Sequence, residues 1–375
     1  MCFLKFMKDS FVNYVVPFTI HLIVEFTVFI FHELIEVVGN EEITIIKKVE
    51  LMQSIYIKEP HSIGIIESDI PQPKEDESLV KVLGCGVCGT DLKIFKGETL
   101  ATYPLIPGHE IVGEIVSSQT LEKGTKITID PNIPCGSCQY CREGKIHLCE
   151  NLRAVGVNRS GGFSELLVVP NRQIYVLNKD IDVRSAIFSE PLSCIIHGLD
   201  LSNFKYTDDI AIVGGGAIGI IFSMLLSRLS IGNTLIFEIS QKKIEFIENE
   251  LKLEVTHPDN FSNKQKFDIV FECSGSIPGL ETAFSLVKKG GKIIDFGVTP
   301  KGMNAKETEP FKIYSQELSM IGSYVNPFTM QRAVKIINSK EFEFQKLLTD
   351  EGNLSEIQGY ITSSKKPFLK AAFIR

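Results

Sequence analysis

The chain has no internal repeat and no low-complexity tract. It has no excess of basic charge: 39 Lys and Arg stand against 46 Asp and Glu, a net charge of −7. Neutralising phosphates needs basic patches, so this balance argues against nucleic acid as the main partner. Cysteine is scarce, with nine in 375 residues. That is too few, in too long a chain, for a small disulfide-stapled secreted scaffold, and an odd number cannot all pair. Tryptophan is missing and there are 29 glycines; neither decides anything alone. The chain does have length, 41.8 kDa, which is enough for two ordinary domains and a sizeable core. At 44% hydrophobic and 23% charged it is neither mostly disordered nor fibrous.

The first fifty residues do not match the rest. Phe11 to Phe31 reads FVNYVVPFTIHLIVEFTVFIF, long enough to cross a bilayer, for which about 20 apolar residues suffice. Asn13, Pro17, His21 and Glu25 interrupt it, and a carboxylate in hydrocarbon is costly. Lys5 and Lys8 give a basic start, but no small-residue cleavage site follows, so it is a poor signal peptide. Met52 begins a stretch that reads as the start of a normal domain. We take Met52 as the functional start and residues 1–51 as an extension or a start-site error; a membrane anchor is the alternative. The expected location is the cytoplasm, with no membrane partner.

From residue 52 to 170 the chain shows short alternating apolar runs broken by Gly and Pro: VKVLGCGV, HEIVGEIVSS, TKITIDP and FSELLVVP. These read as strands of a β-rich, partly closed barrel. From Ser189 the texture changes. IAIVGGGAIGIIFSMLLSRL is a buried strand, a glycine turn and an apolar helix, and TLIFEIS, KFDIVFECSG and GGKIIDFGV are further apolar strands with helices between. This alternation predicts a parallel sheet wound by helices. PKGMNAKETEP reads as a polar loop, NPFTMQRAVKIINS as a helix, and the tail as a short polar segment ending in KAAFIR.

Gly214-Gly-Gly216-Ala217-Ile218-Gly219 fits G-x-G-x-x-G between a buried strand and a helix, the context that makes the pattern informative. Gly214 permits the tight turn, Gly216 admits a pyrophosphate, and Gly219 lets helix and strand pack. The helix start at Ala217 and Ile218 supplies free N–H groups and positive dipole. Glu238 ends the next strand; a carboxylate there accepts the ribose hydroxyls and repels a 2′-phosphate, which predicts NAD over NADP. Lys242 and Lys243 are the nearby cations that would admit a phosphate.

Cys135, Cys138, Cys141 and Cys149 have the spacing C-x2-C-x2-C-x7-C. Four thiolates so close can close one tetrahedral zinc with no open position, a structural site. His147 lies inside the lobe as a spectator. Two disulfides are the alternative, disfavoured in the cytoplasm. Cys88, His109, Glu110 and Glu190 are scattered, and spacing alone proves nothing about them. If the two domains face each other across a cleft, they can meet there.

The ordered set GVCGTDL, PGHEIVGEI, PCGSCQYCREGKIHLC, GGFSELLVVP, SEPLSC and IVGGGAIG resembles the zinc-dependent medium-chain dehydrogenases, and most of all their sorbitol, threonine and polyol branch. The resemblance runs from about Met52 to the C-terminus. It implies an α/β plus β fold: a GroES-like β-barrel catalytic domain over 52–190, a doubly wound Rossmann NAD-binding domain over 191–324, and a return of 325–375 to the catalytic domain. It implies a catalytic zinc on Cys88 (not Cys85), His109 and Glu110, with Glu190 direct or bridged by water. The implied reaction passes a hydride between a secondary alcohol and NAD, the zinc lowering the pKa of the hydroxyl.

By the same resemblance Thr90 relays the alcohol proton, and a homodimer or homotetramer forms by edge pairing of the Rossmann sheets. Lys93 departs from the pattern, because many relatives carry a His there. Gly322 to Asn326 lacks the Arg that sorbitol-type members tend to have, so sorbitol is not assigned. Other polyols, sugar-alcohol phosphates, butanediol and threonine stay open as substrates. A zinc-free reductase and a non-catalytic zinc-stabilised scaffold are the competing readings. The C-terminus reads as somewhat short for this family, with altered last strands.

Overall fold

Along Leu51–Glu59 the alternate residues Met52 and Ser54 are buried while Leu51 and Gln53 face solvent. That period of two is what a half-buried strand requires. The computed structural model describes residues 33–38, 42–47, 51–99, 101–262, 265–299, 301–305 and 309–375. The chain divides into two units, Met1–Glu50 and Leu51–Arg375. In the first, Glu33–Val38 pairs antiparallel with Glu42–Lys47. The apolar run Phe11–Phe31 lies outside the described residues. No helix among the described residues is long and apolar enough to cross a membrane.

In the second unit, the long strand Glu77–Gly86 organises a curled sheet. It pairs antiparallel with Glu110–Ser117, with Leu166–Pro170 and with Lys370–Ile374. Lys126–Ile129 and Ile174–Val176 extend one side of it, and Leu348–Gly352 lies beside the last strand. Ile55, Ile57, Val80, Val82, Ile111 and Ile127 fill its interior. The tail contains more than the polar segment expected from sequence. It forms Leu348–Gly352, the helix Leu354–Ile361 with a reciprocal Asn353–Glu356 cap, and the strand Lys370–Ile374. That cap pairs two orphan amides of the helix start.

The second sheet is parallel. Its order is Val255–Thr256, Thr234–Phe237, Ile210–Val213, Phe267–Glu272, Val287–Asp295, Ser319–Gly322. Numbered along the chain this is 3-2-1-4-5-6, the doubly wound order that binds dinucleotides where the strand order reverses. Ile210–Val213 is buried throughout because helices cover both faces. The glycine loop then turns into Ala217–Leu229. Gly214 sits at φ 108°, and a Cβ on Gly219 would meet the Gly214 carbonyl at 2.0 Å, so the turn needs both glycines.

Helix Ser189–Ser202 joins the two sheets. Its Ile195, Ile196 and Leu199 share one core with Val112 of the first sheet, Ile210 of the second, and Ile220 and Phe222 of the helix Ala217–Leu229. Helix Met330–Ser339 packs on it through Met330, Ala333, Val334 and Ile337. The sequence reading began this last helix at Asn326, four residues too early. Val325 and Phe328 have φ of 49° and 58°, which breaks helical geometry. The Asn326 amide explains the detour. It is buried, donates to Ser193 Oγ at 2.8 Å and to Asp130 Oδ1 at 3.4 Å, and accepts from Asn132 Nδ2 at 2.7 Å.

Phe222 stands at the centre of the shared core, 4.5 Å from the Phe271 ring and 5.1 Å edge-on from Phe296. Phe222→Ala is expected to destabilise folding by about 3–5 kcal/mol. The check is the urea midpoint; a loss under about 1 kcal/mol would show that the core does not rest on this ring.

Candidate active site

Cys88 caps the N-terminus of helix Gly89–Lys96. Asp91, fully buried, folds back on it: one carboxylate oxygen accepts from Cys88 N at 2.8 Å, the other from Gly108 N at 3.2 Å. The oxygen that accepts from Gly108, Oδ1, also lies 3.7 Å from His109 Nδ1, too long for a hydrogen bond but close enough to attract an imidazolium. Asp91 thus ties the cysteine turn to the histidine turn. Glu110 begins the strand Glu110–Ser117 directly after His109.

The ligand atoms of Cys88, His109 and Glu110 lie within 4.8 Å of one another. Glu190 is outside this trio but beside it. It is buried on the first turn of helix Ser189–Ser202, and Cys194 Sγ donates to its Oε1 at 3.3 Å. Thr90 Oγ1 accepts from Cys88 Sγ at 3.6 Å. Cys85 is fully buried, and burial raises its thiol pKa well above the ordinary value.

The electrostatics of this pocket call for a cation. Burial works against a charged His109, yet Cys88, Asp91 and Glu190 raise its pKa well above the ordinary value. Burial and then Glu110 push the Glu190 carboxyl up to about 7, against the pull of His109. His109 Nδ1 and Glu110 Oε2 are buried with no hydrogen-bond partner. Buried polar atoms are rarely left unpaired. A thiol, an imidazole and a carboxylate in this state fit a zinc ion.

Two participants escaped the sequence reading. Lys370, on the last strand, is buried and donates to Glu110 Oε1 at 2.5 Å. Burial disfavours its charge, but Glu110, Cys88 and Glu190 raise its pKa. Its signal was one lysine inside an otherwise apolar terminal strand. Asp91 was visible as the final residue of GVCGTD, but only the fold shows which turns it joins.

The four lobe cysteines converge as their spacing predicts. Their sulfurs lie within 4.8 Å of one another, and all four are free thiols. Backbone amides of Ser137 and Cys138 donate to Cys135 Sγ and bring that thiol down to about 5. Burial instead pushes the Cys141 thiol up to about 12; it is the closeness of the four sulfurs that fits a closed, structural zinc site. His147 stays outside it, its ring 5.3 Å from that of His197.

At the second sheet, Glu238 faces the glycine loop. Its carboxylate accepts from Gly215 N, Ile239 N and Ser240 N at 2.8–2.9 Å. A Cβ on Gly216 would meet nothing within 4 Å, which leaves the loop open there. Gly214, Ala217, Ile218 and Gly219 stand at the turn and the first helical residues, as expected. Lys243 lies half-buried on helix Gln241–Asn249.

The family model of the alcohol dehydrogenase GroES-like domain matches residues 74–179, and that of the zinc-binding dehydrogenases matches 236–339. A zinc-binding dehydrogenase of Sinorhizobium meliloti 1021, solved with NADP bound, is 31% identical. It superposes with a TM-score of 0.82 over 87% of this chain and 100% of its own. The chain belongs to the zinc-dependent medium-chain alcohol dehydrogenases. D-arabinitol dehydrogenase 1 of Uromyces fabae is 29% identical over 324 residues, 82% of this chain and 92% of that protein. D-altritol 5-dehydrogenase of Agrobacterium fabrum is 28% identical over 327 residues, 84% of this chain and 96% of that protein. This dehydrogenase has the GroES-like and Rossmann-type folds that its motifs implied, and it is an alcohol oxidoreductase.

Near this pocket the dehydrogenase buries a further carboxyl, that of Asp130. Burial raises Asp130 to about 6, although Asn132 and Asn326 donate to it. An acid whose folded pKa lies above its unfolded value of about 3.9 holds its proton more tightly when folded. Stability then falls as pH rises from about 4 to about 6. Asp130→Asn removes that loss. Relative to wild type, the variant is expected to gain up to about 3 kcal/mol across this window. Parallel wild-type and variant curves of unfolding midpoint against pH would contradict it.

Proposed function

We propose that this chain is an NAD-linked dehydrogenase of a secondary alcohol carried by a polyol, a sugar alcohol or its phosphate. The observation that carries this reading is the convergent Cys88–His109–Glu110 trio in a pocket that calls for a cation. The names of the arabinitol and altritol relatives support the substrate class. Cys88, His109 and Glu110 would hold zinc, with Glu190 near enough to join directly or through water, and the ion would supply a Lewis acid that acidifies the alcohol. A bound dinucleotide would supply the hydride acceptor.

The chain's own residues do the rest. The Thr90 hydroxyl takes the alcohol proton and passes it on, since it both accepts and donates. Asp91 holds the Cys88 and Gly108 turns together and so places His109 beside Cys88. Lys370 pairs with Glu110 and holds that carboxylate in place. The open face at Gly216 and the free N–H groups from Ala217 to Gly219 receive a pyrophosphate. Glu238 braces the loop through Gly215 and repels a 2′-phosphate, which favours NAD; Lys243 is the cation on the opposite side of that choice. The cysteine lobe takes a structural zinc. We place the enzyme in the cytoplasm, where four neighbouring thiols stay reduced.

The test is reduction of NAD or NADP by the full-length enzyme with polyols, polyol phosphates, butanediol and L-threonine, with and without a zinc chelator. The expected result is chelator-sensitive reduction, faster with NAD than with NADP. Cys88→Ser is expected to abolish activity and lower metal content from two zinc ions per chain to one, the lobe site remaining. Full activity in Cys88→Ser would exclude the zinc mechanism.

The assembly reading rests on the sheet edge. Strand Ser319–Gly322 pairs with a neighbour on one side only among the described strands. Met320 on it, and Phe311 and Tyr314 on the preceding helix Pro310–Ser315, are exposed apolar side chains. A second copy pairing along this edge covers them and satisfies the open backbone groups. Light scattering is expected to show a dimer or tetramer that Met320→Arg dissociates; a wild-type monomer at micromolar concentration would refute this.

A further inference from the structure

Lys93 lies three residues after Thr90 on helix Gly89–Lys96, so the two share one helical face. Its ammonium donates to the carbonyl oxygen of Val298 at 2.5 Å, joining residues 205 apart in sequence. The partners stand beside different sheets. The helix caps the curled sheet and begins at Cys88. Val298 lies in the turn after Val287–Asp295, at the carboxyl end of the parallel sheet, where open α/β sheets bind their ligands.

That turn is braced from behind. Phe296 N and Gly297 N donate to the Glu272 carbonyl at 3.1 and 2.8 Å, and Ser323 N donates to the Asp295 carbonyl at 3.0 Å. The buried Glu272 carboxylate accepts from Ser274 N at 2.8 Å and from Gly275 N at 3.2 Å. A Cβ on Gly297 would lie 2.2 Å from Gly275 N and 2.3 Å from Glu272 Oε2, so the two turns are in close contact. A pull on the Val298 carbonyl is therefore carried into the sheet edge and not lost in a slack loop. The Val298 side chain is 67% exposed, so packing does not anchor that residue.

Lys93 is half-buried, and burial lowers its pKa. A cation gives up hydration only for a compensating partner. The carbonyl is that partner, and a bond from an ionised donor is shorter and stronger than a neutral one. Hydride transfer needs donor and acceptor carbons held about 3–3.5 Å apart. The carbinol carbon is held from the Cys88–Thr90 side and the nicotinamide from the parallel-sheet side, so something must set the spacing between them.

We propose that Lys93 is a positioning residue that clamps the Cys88–Thr90 helix to the Val298 turn and so sets the approach of alcohol to dinucleotide. The inference rests on the dinucleotide-linked reading above. In this role the lysine holds its proton throughout the cycle and does not end the proton relay.

Lys93→Met keeps most of the aliphatic stem and removes every donor; Lys93→Arg keeps a cationic donor. Both are assayed as zinc-loaded full-length enzyme with NAD and the panel alcohol that wild type oxidises fastest, protonated or deuterated at the carbinol carbon. In Lys93→Met, kcat is expected to fall about 10- to 100-fold, the scale of a small misplacement. The deuterium isotope effect should rise, the pH profile of kcat should keep its shape, and the melting temperature should stay unchanged. Lys93→Arg should recover most of the rate. An unchanged kcat and isotope effect in Lys93→Met would overturn the clamp. So would a shifted pH limb, which would make the amine a proton carrier. A wild-type enzyme that reduced neither NAD nor NADP would overturn the clamp together with the reading it rests on.

Discussion

Three carboxylates, Asp91, Glu110 and Glu190, are buried around one thiol and one imidazole, and a single ammonium, Lys370, stands among them. Burying ionised groups without compensation costs several kcal/mol each. Much of the architecture around the pocket follows from that imbalance. Asp91 spends its oxygens on backbone amides of two turns, Glu110 takes the lysine, and Glu190 is pushed up to about 7. What is left over is a buried imidazole nitrogen and a buried carboxylate oxygen without partners. A divalent cation resolves the imbalance that protein groups leave open.

The counter-charge arrives late in the chain. Lys370 reaches Glu110 because Lys370–Ile374 closes onto Glu77–Gly86, with Ala372 opposite Gly86. Gly86 leaves room for this pair: a Cβ there would lie 2.0 Å from Glu110 Oε2 and 3.1 Å from Lys370 Cε and displace the carboxylate. Helix Ser189–Ser202 makes the second connection. Its first turn offers Glu190 to the pocket while its later turns pack into the core of the parallel sheet. Asn326 then locks this helix to Asp130 and Asn132, at the expense of two residues with positive φ. Strain of this kind persists only where the surroundings over-determine it.

Local patterns were legible where chemistry is local. The four lobe cysteines sit within fifteen residues, and their convergence needed only turns at Gly136 and Gly144. The glycine loop was readable because a buried strand, a tight turn and an apolar helix follow one another directly. Cys88, His109 and Glu110 were named through an ordered set of motifs that their spacing alone would not have justified. The final strands were misjudged because Leu348–Gly352 and Lys370–Ile374 are short, and pairing with a distant strand stabilises one of them more than its own residues do. The late start of helix Met330–Ser339 was invisible for a similar reason: Asn326 is turned inward by partners about 130 to 200 residues away.

By itself, the sequence determined the two sheet types, the glycine loop and the metal-ligand candidates, because these follow from hydrophobic period, glycine placement and thiol spacing over short distances. Only the tertiary structure decided that Glu190 stands beside the close trio and not inside it, that Lys370 balances Glu110, and that Lys93 spans to Val298. These are contacts between charged groups far apart in the chain. Their energy depends on burial and on separation in space, and neither quantity is written in the order of residues.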